Sequence, residues 1–420
     1  MEELPYLTAE VPAIRARYKA SPEDFRVEEI PAYPPSGEGT HVHLRIEKRD
    51  LATSVAVRRI ARELGLRPHD VGYAGMKDAR AVTEQTLSVE HVPLERVRAC
   101  AVPGVRVLAA ERHRNRIRRG HLAGNRFAIR LREVDPGRVA DVRAVLDALG
   151  RRGVPNYFGP QRFGRRGDAW RIGEAFLRED WSEAVRLLAG SPSDFDTGDA
   201  LRARRQFDAG RYGRSAQLWP DDLHEPKRIA AAMARFRGDA QRAARILGRR
   251  EWGFFVSAWQ SRLFNRVLAA RMDWEEAGID ALAAGDLAWK HDSGAVFAVD
   301  DPAEAAGRAA RFEVSPSGPL PGPRMPRPTG RPGALEERVL RETLGGDALE
   351  EPLARAGTRG TRRALRFPVE ELDCDFGDDE AGPHLELRFR LGRGCYATAL
   401  LRELGKGELR LGSPARAGSP

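Results

Sequence analysis

The sequence contains few cysteines and no long apolar segment. Cys100, Cys374 and Cys395 are spread over 420 residues without a C-x-x-C pair, which excludes a disulfide framework and a cysteine-based zinc site. No apolar run approaches the roughly 18–20 residues of a membrane helix. The N-terminus has no basic segment followed by an apolar one, as a signal peptide would have. We therefore expect a cytoplasmic protein with no membrane attachment.

Lysine is also scarce, although positive charge is in excess. The chain has 70 Lys and Arg against 61 Asp and Glu, a formal net charge of +9, and only six of the 70 are lysines. A basic chain favours a polyanionic partner, most often nucleic acid. A GC-rich genome also replaces lysine by arginine, so the placement of the arginines is more informative than their number.

Hydrophobic periodicity predicts strands and helices, then a helix-rich stretch, then strands again. Alternating apolar residues are typical of half-buried strands, and we predict strands over 41–49, 105–113, 125–133 and 384–391, with a hairpin over 286–299. From 168 to 271 the apolar spacing is mainly helical. Residues 315–333 hold seven prolines and are predicted to be a loop or linker, because proline disfavours helix and interior strand.

Two early helices have sequence signals for their ends. Ser54 can cap a helix over 55–64, and Gly65 can stop it. A second helix is predicted over 138–149, stopped by Gly150.

Residues 111–133 carry eight arginines, with acids only at the two ends of the run. On a pair of strands, alternate arginines share one face and could follow an RNA backbone, with Phe127 as a stacking surface. The same pattern also fits a strand whose apolar residues, Phe127, Ile129 and Leu131, are buried while its arginines are solvated. The residues alone do not decide between these interpretations.

Two further stretches combine glycine with residues suited to chemistry or to RNA. In residues 153–164, three aromatic side chains alternate with Gln161 and Arg162, which suits RNA recognition but equally a tight turn at a domain boundary. In residues 72–85, Asp78 lies in a glycine-rich loop beside Lys77. Cations stabilise a carboxylate as a nucleophile or base, although a turn residue is the simpler interpretation.

Together these stretches resemble the TruD family of tRNA pseudouridine synthases. GYAGMKDARAVTEQ (72–85) resembles the motif of the family's catalytic aspartate, and GNRF (124–127) and PNYFGPQRFG (155–164) resemble its next two motifs in order. Segments 19–29, 257–271 and 394–404 also match, so the likeness runs over about residues 15–410.

The resemblance implies an α/β (α+β) fold. A pseudouridine-synthase catalytic domain with a mixed, mainly antiparallel sheet would span 1–164 and 333–420, interrupted by a largely helical insertion domain over 165–332. It implies an isomerase acting on a uridine of tRNA, position 13 in the D-arm region. The reaction breaks the N1–C1′ bond, rotates the uracil and rejoins it through C5, with no metal and no cofactor. We expect a monomer whose partner is tRNA.

Motif position also assigns residues. Asp78 is implied as the catalytic aspartate, paired with Lys19, while Phe127 stacks on the target base and Asn125 supports the site. Asp78 could attack C1′ or remove the C2′ proton, and both routes stay open. The remaining candidates, all for substrate binding, are Glu28, Lys77, Gln85, Arg116, Arg118, Arg119, Tyr157, Phe158, Gln161 and Arg162.

Two alternative functions remain at this stage. An RNA-binding or RNA-chaperone protein of the same fold would use the same arginines and aromatics without needing Asp78. A pseudouridine synthase acting on a different RNA would share the chemistry and differ only in substrate.

Overall fold

The chain forms two compact units, and it crosses from one unit to the other after residues 5, 154 and 366. The computed structural model describes residues 4–275, 277–344 and 350–412. One unit, here the sheet unit, comprises residues 6–154 and the chain from 367 onward, and the other, the helical unit, comprises residues 155–366 with the N-terminal five. Both divisions predicted from the sequence, after residues 164 and 332, fall inside the helical unit.

A ten-stranded sheet forms the sheet unit. Its main path, in spatial order, is Glu370–Asp379, Gly382–Gly392, Leu122–Arg132, Phe25–Pro31, Val82–Glu90, His41–Arg49 and Val105–His113. Ala16–Tyr18, Gly72–Tyr73 and Leu409–Leu411 pair off this path. Phe25–Pro31 runs parallel to Val82–Glu90, and its other neighbour is antiparallel. The predicted mixed, mainly antiparallel sheet is confirmed.

Register gives the sheet two chemically different faces. Residues opposite each other on paired strands project to the same side. Val27 pairs with Phe127, and Phe127 pairs with Phe389, so these side chains share one apolar face, here the inner face. Glu28 pairs with Arg126 and projects from the outer face. The helices of this unit are Thr53–Leu64, Leu94–Arg98, Val139–Arg152 and Ala397–Gly405.

The helix Thr53–Leu64 ends as predicted but begins earlier. Gly65 takes a left-handed φ of 71°, which glycine adopts without strain. The prediction that Ser54 caps the helix is wrong. Ala52 occupies the N-cap position, and the hydroxyl of Thr53, the first helical residue, bonds instead to Gln85.

The helix Val139–Arg152 runs past Gly150, so the predicted stop is wrong. Gly150 lies inside the last turn of the helix, and the chain leaves the helix at Gly153, with φ 82°. An exposed glycine costs a helix only about 1 kcal/mol, which packing of Val142, Leu146 and Leu149 in the core outweighs.

The helical unit is built around the long helix Arg249–Met272. Its other helices are Ala169–Leu177, Trp181–Ala189, Gly198–Asp208, Tyr212–Leu218, His224–Arg235, Ala240–Ala244, Pro302–Ala310, Gly330–Leu344 and Glu350–Arg355. A four-stranded sheet has the order Val296–Ala298, Leu287–Lys290, Val314–Leu320 and Thr361–Ala364. The chain passes between the units through the short strands Val154–Pro155 and Arg366–Phe367.

The first part of the proline-rich segment is an interior strand, contrary to the prediction. Val314–Leu320 pairs with one neighbour up to Pro316 and with the other from Ser317 onward. A proline costs a strand only the bond that its N–H would donate. Because this strand has a partner on one side at a time, Pro316 is accommodated, and its carbonyl still accepts from Leu365 N at 2.8 Å.

Helix packing in the helical unit predicts a strong effect at one glycine. A Cβ on Gly173 would lie 2.2 Å from the Phe255 carbonyl oxygen, in the backbone of the long helix. We therefore expect Gly173→Ala to destabilise the protein by about 1–3 kcal/mol through overpacking, measured as a lower melting temperature. The matched control is Gly253→Ala on the long helix, where a Cβ has no neighbour within 4 Å. This control should stabilise the protein by up to about 1 kcal/mol, and equal effects of the two substitutions would contradict the packing argument.

Candidate active site

The loop of residues 74–81, here the Asp78 loop, is irregular in structure but firmly attached. The N–H of Lys77 donates to Thr53 Oγ1 at 3.0 Å. That hydroxyl donates in turn to Gln85 Oε1 at 2.9 Å, in a buried contact. One side-chain oxygen therefore joins the loop to the start of a helix and to the inner face of the sheet.

A buried ion pair attaches the Asp78 loop to the inner face of the sheet. Lys77 Nζ lies 2.5 Å from Glu29 Oε2, and the two side chains are 6% and 2% exposed. The other carboxylate oxygen of Glu29 accepts from Thr86 N at 3.1 Å. Buried charges persist only when they are paired, so this contact fixes where Lys77 can lie.

Unlike the buried side chain of Lys77, the side chain of Asp78 is exposed to solvent. Its side chain is 42% exposed, and its Oδ1 lies 2.6 Å from Nζ of Lys19, which is 12% exposed. Lys19 adopts a left-handed φ of 56°, a conformation that is uncommon for a residue other than glycine. Its ammonium also lies 4.0 Å from the centre of the Phe25 ring. Burial and then the charge of Asp78 raise the pKa of neighbouring Tyr18.

A second lysine holds the backbone of Asp78. Lys48 is fully buried, and its Nζ donates to the Asp78 carbonyl oxygen at 2.7 Å. Burial lowers the pKa of Lys48 to about 8, an effect that the charge of Asp78 opposes and that of Lys77 increases. Asp78 is thus held at its side chain by one ammonium and at its backbone by another.

Phe127 lies in an aromatic trio on the inner face. Its ring stacks on Phe389 with centroids 5.1 Å apart and meets Phe25 edge-on at 6.4 Å. Phe127 is 7% exposed, so most of the ring packs inside the protein. One ring of the trio, Phe25, also contacts the ammonium of Lys19 through its face.

Three polar atoms on this face have no hydrogen-bond partner within the described chain. They are Asn125 Oδ1, Gln85 Nε2 and Thr83 Oγ1, all buried, and Thr83 belongs to this face because it pairs with Val27. A buried polar group without a partner costs about 1–3 kcal/mol, and such groups in native proteins call for water, a ligand or a functional explanation. Asn125 lies two residues before Phe127 on the same strand, so both project from the inner face.

The arginines of 111–133 separate into two groups. On the strand Leu122–Arg132 they are neutralised: Arg126 bonds to Glu28 and Glu371, and Arg132 bonds to Asp24 and Asp379. Hydrogen bonding from Arg132 lowers the pKa of Asp379 far below its usual range. In the connection before this strand, Arg116 donates to the His69 carbonyl, whereas Arg118 and Arg119 are exposed.

The candidates from 155–164 belong to the helical unit, where the long helix fixes them. Asn265 accepts from Phe158 N and donates to its carbonyl, each at 2.9 Å. Arg162 donates to Ser261 Oγ at 3.0 Å. Tyr157 is buried, whereas Gln161 is exposed. The motif 257–271 therefore acts, at least in part, by holding the motif 155–164.

Sequence reasoning selected Glu28 and overlooked its neighbour Glu29. Glu28 bonds to Arg45 and Arg126 on the outer face, while Glu29 reaches Lys77 on the inner one. Strand alternation with Phe25 and Val27 could have revealed this, because one residue of register exchanges the faces.

Thr53 and Lys48 were also overlooked. Lysine is rare in this arginine-rich chain, which has only six, and three of the six are Lys19, Lys48 and Lys77. This rarity of lysine could have drawn attention to Lys48.

The described residues contain no group of three or more His, Cys, Asp or Glu side chains placed to hold a metal ion. Within the same residues, no helix is both long enough and apolar enough to cross a membrane.

Comparison with known proteins identifies the chain's relatives. A family model described as tRNA pseudouridine synthase D (TruD) matches residues 2–404. Proteins named tRNA pseudouridine synthase D from Geobacter sulfurreducens and Geobacter metallireducens are each 46% identical over 406 residues, spanning 96% of this chain and 96% and 98% of their own lengths. A crystal structure of a TruD protein from Methanosarcina mazei matches with a TM-score of 0.81 at 25% identity, covering 96% of each chain.

The fold and these matches define an RNA-modifying isomerase of the pseudouridine-synthase class. Within that class, the chain belongs to the TruD family of tRNA pseudouridine synthases. The family, the enzyme class and the mixed α/β fold that the sequence predicts are confirmed.

The buried ammonium of Lys48 predicts a pH-dependent stability difference. Below pH 8 both the folded and the unfolded protein carry this charge, and the fold bears its full desolvation cost. As pH rises above 8, the folded state releases the proton while the unfolded state, with a pKa near 10.5, retains it, so the parent gains stability. Relative to Lys48→Met, we expect a gain of about 2 kcal/mol between pH 8 and 9.5, measured by urea unfolding at each pH. A difference that does not change with pH would contradict the burial of a charged lysine.

The burial of Phe127 predicts that its ring contributes mainly to packing. We expect Phe127→Leu to reduce the free energy of unfolding by about 1 kcal/mol, with a less than tenfold loss of turnover per folded molecule. The matched control is Phe389→Leu, which removes the other ring of the stack at a site only 1% exposed and should behave alike. Unchanged melting of Phe127→Leu with a tenfold or greater fall in single-turnover rate would instead support stacking on the base.

Proposed function

We propose that this chain converts a uridine of tRNA, uridine-13 in the D-arm region, to pseudouridine, with Asp78 as the catalytic residue. The observation that carries the proposal is the placement of Asp78: a solvent-accessible carboxylate, paired with Lys19 at 2.6 Å, on a loop whose backbone is held by Lys48 and Thr53. A carboxylate with this support can act on a sugar without moving the loop that bears it.

The reaction is an isomerisation, so its atoms balance within the nucleotide. The N1–C1′ bond breaks, the uracil turns, C5 bonds to C1′, and the proton lost from C5 is matched by one gained at N1. Asp78 could either attack C1′ or remove the C2′ proton. Lys19 stabilises the charged carboxylate before the reaction. The isomerisation involves no net oxidation or reduction, so the site residues need no redox partner.

The proposal extends to the substrate-facing residues and to the domains. Asn125 and Gln85 each hold one polar atom without a partner among the described residues, which suits contacts to the uracil edge or to an ordered water. The sheet unit is proposed as the catalytic domain and the helical unit as the family's insertion domain. Tyr157, Phe158, Gln161 and Arg162 would contribute to RNA recognition, either directly or by shaping their segment. The protein is proposed to act as a monomer.

Asp78→Asn tests the proposal, because it preserves size and removes only the charge. We expect pseudouridine formation in tRNA to be abolished, with tRNA affinity within a few-fold of the parent, measured by mapping pseudouridine and by equilibrium binding. The control is Asp147→Asn, the same change at an exposed position of the helix Val139–Arg152, which should retain activity.

Comparable turnover by Asp78→Asn would remove Asp78 from the chemistry. A parent protein that binds tRNA but forms no pseudouridine in any tRNA would instead support an RNA-binding role for the fold. Product at another position of tRNA would retain the chemistry and exclude uridine-13.

A further inference from the structure

A second group of arginines lies on the helix Thr53–Leu64. Its buried face carries apolar residues, and its outer side carries Arg58, Arg59 and Arg62. These three side chains line a groove that also includes Pro68. The sequence did not single them out, because three arginines on one helix are unremarkable in a chain with this composition.

The neighbouring groove carries the other unneutralised arginines of this region. Arg116, Arg118 and Arg119 line it, and Pro68 lines it as well. The shared Pro68 makes the two grooves adjacent, and Arg116 bonds to the carbonyl of His69 in the same turn. Six arginines therefore line two adjacent grooves that share Pro68, here together called the arginine surface.

The linings of these two grooves lack the acids that accompany arginine elsewhere in the unit, although Glu63 and Asp70 lie nearby in the chain. No carboxylate is among the described residues that line either groove. Arg58, Arg62, Arg118 and Arg119 have no ion pair with the described part of the chain, whereas the groove on the outer face of the sheet mixes arginines with acids. Its charged lining residues are Arg26, Arg126, Arg388, Glu28, Glu84, Glu371 and Asp373.

The arginine surface is attached directly to the Asp78 loop. The helix that carries Arg58 and Arg62 begins at Thr53, which accepts from Lys77 N at 3.0 Å. The connection that carries Arg118 and Arg119 is tied to the same loop, because Gly120 N donates to the Ala74 carbonyl at 2.8 Å. At about 1.5 Å rise per residue, Arg62 lies about 14 Å along the helix axis from Thr53.

We infer that the arginine surface, including Arg58 and Arg62, binds the phosphate backbone of the substrate RNA beside the target uridine. Guanidinium groups that have no ion pair within the described structure suit phosphate oxygens, and contacts of this kind position an RNA without reading its sequence. The inference rests on the proposed function for the identity of the RNA, whereas the surface itself rests on charge and geometry.

The test compares two double variants that each remove two positive charges. Arg58→Ala with Arg62→Ala should make the fall of log affinity for tRNA with log salt shallower, reducing the magnitude of its slope by about 2. It should also weaken binding on the order of tenfold at 0.15 M salt. It should raise KM while leaving kcat at saturating tRNA within about twofold. The control is Arg45→Ala with Arg388→Ala, which removes exposed arginines already paired with carboxylates and should leave the slope nearly unchanged.

An unchanged slope in the Arg58/Arg62 variant would overturn the inference, and so would an equal loss in the control, because the effect would then reflect net charge alone. These outcomes are separable from those that test Asp78. If the parent forms pseudouridine but the slope does not change, only the arginine surface fails. If the parent forms none but the slope still falls by about 2, the surface stands and the proposed reaction fails.

Discussion

The buried ion pair between Lys77 and Glu29 is the contact on which the candidate site depends. The Lys77 ammonium is buried against Glu29, whereas the next side chain, Asp78, is 42% exposed. Both charges are almost fully excluded from water, and neither could stay there alone without a large desolvation cost. The strand that supplies Glu29 therefore fixes the position of Lys77 and, through it, the exposure of the Asp78 carboxylate.

The lysines around Asp78 perform tasks to which arginine is poorly suited. An ammonium is a compact charge on a flexible stem, whereas a guanidinium is a broad planar fork. Lys48 reaches a single carbonyl oxygen from a fully buried position, and Lys19 fits between one carboxylate oxygen and the face of Phe25. The chain has 64 arginines, yet the three basic side chains around the Asp78 loop, Lys19, Lys48 and Lys77, are lysines. This choice of residue agrees with the difference in shape.

The sheet unit separates its charges by location. On the strands, arginines such as Arg126 and Arg132 are matched by carboxylates on neighbouring strands, which stabilises the sheet and leaves little free charge for RNA. On the helix and connection that flank the Asp78 loop, Arg58, Arg62, Arg118 and Arg119 have no such partners in the described structure, although Arg114 in the same connection pairs with Glu38. The overall excess of +9 thus understates how strongly positive this one surface is.

Much of the site could be predicted from local pattern, because local pattern is set by residue type and spacing. Alternation defined the strand His41–Arg49 to the residue, and Gly65 ended its helix. The pairing of Asp78 with Lys19 was expected from the family resemblance, whereas the residues around Asp78 alone favoured a turn. The glycine at 150 and the prolines at 316 and 319 misled the prediction. Each of these residues disfavours an element by only a few kcal/mol at most, which tertiary packing or a one-sided strand partner can offset.

The sequence by itself determined the family and the mixed fold, since these follow from contiguous motifs, and it made Asp78 the proposed catalytic residue. Only the tertiary structure decided that Glu29 rather than Glu28 supports the Asp78 loop, that Lys48 lies beneath it, and which arginines remain without acids. Those facts depend on strand register and on contacts between residues far apart in the chain, such as Arg126 and Glu371. A one-residue shift in register reverses the face on which a side chain projects, and no local pattern records which distant strand will be its neighbour.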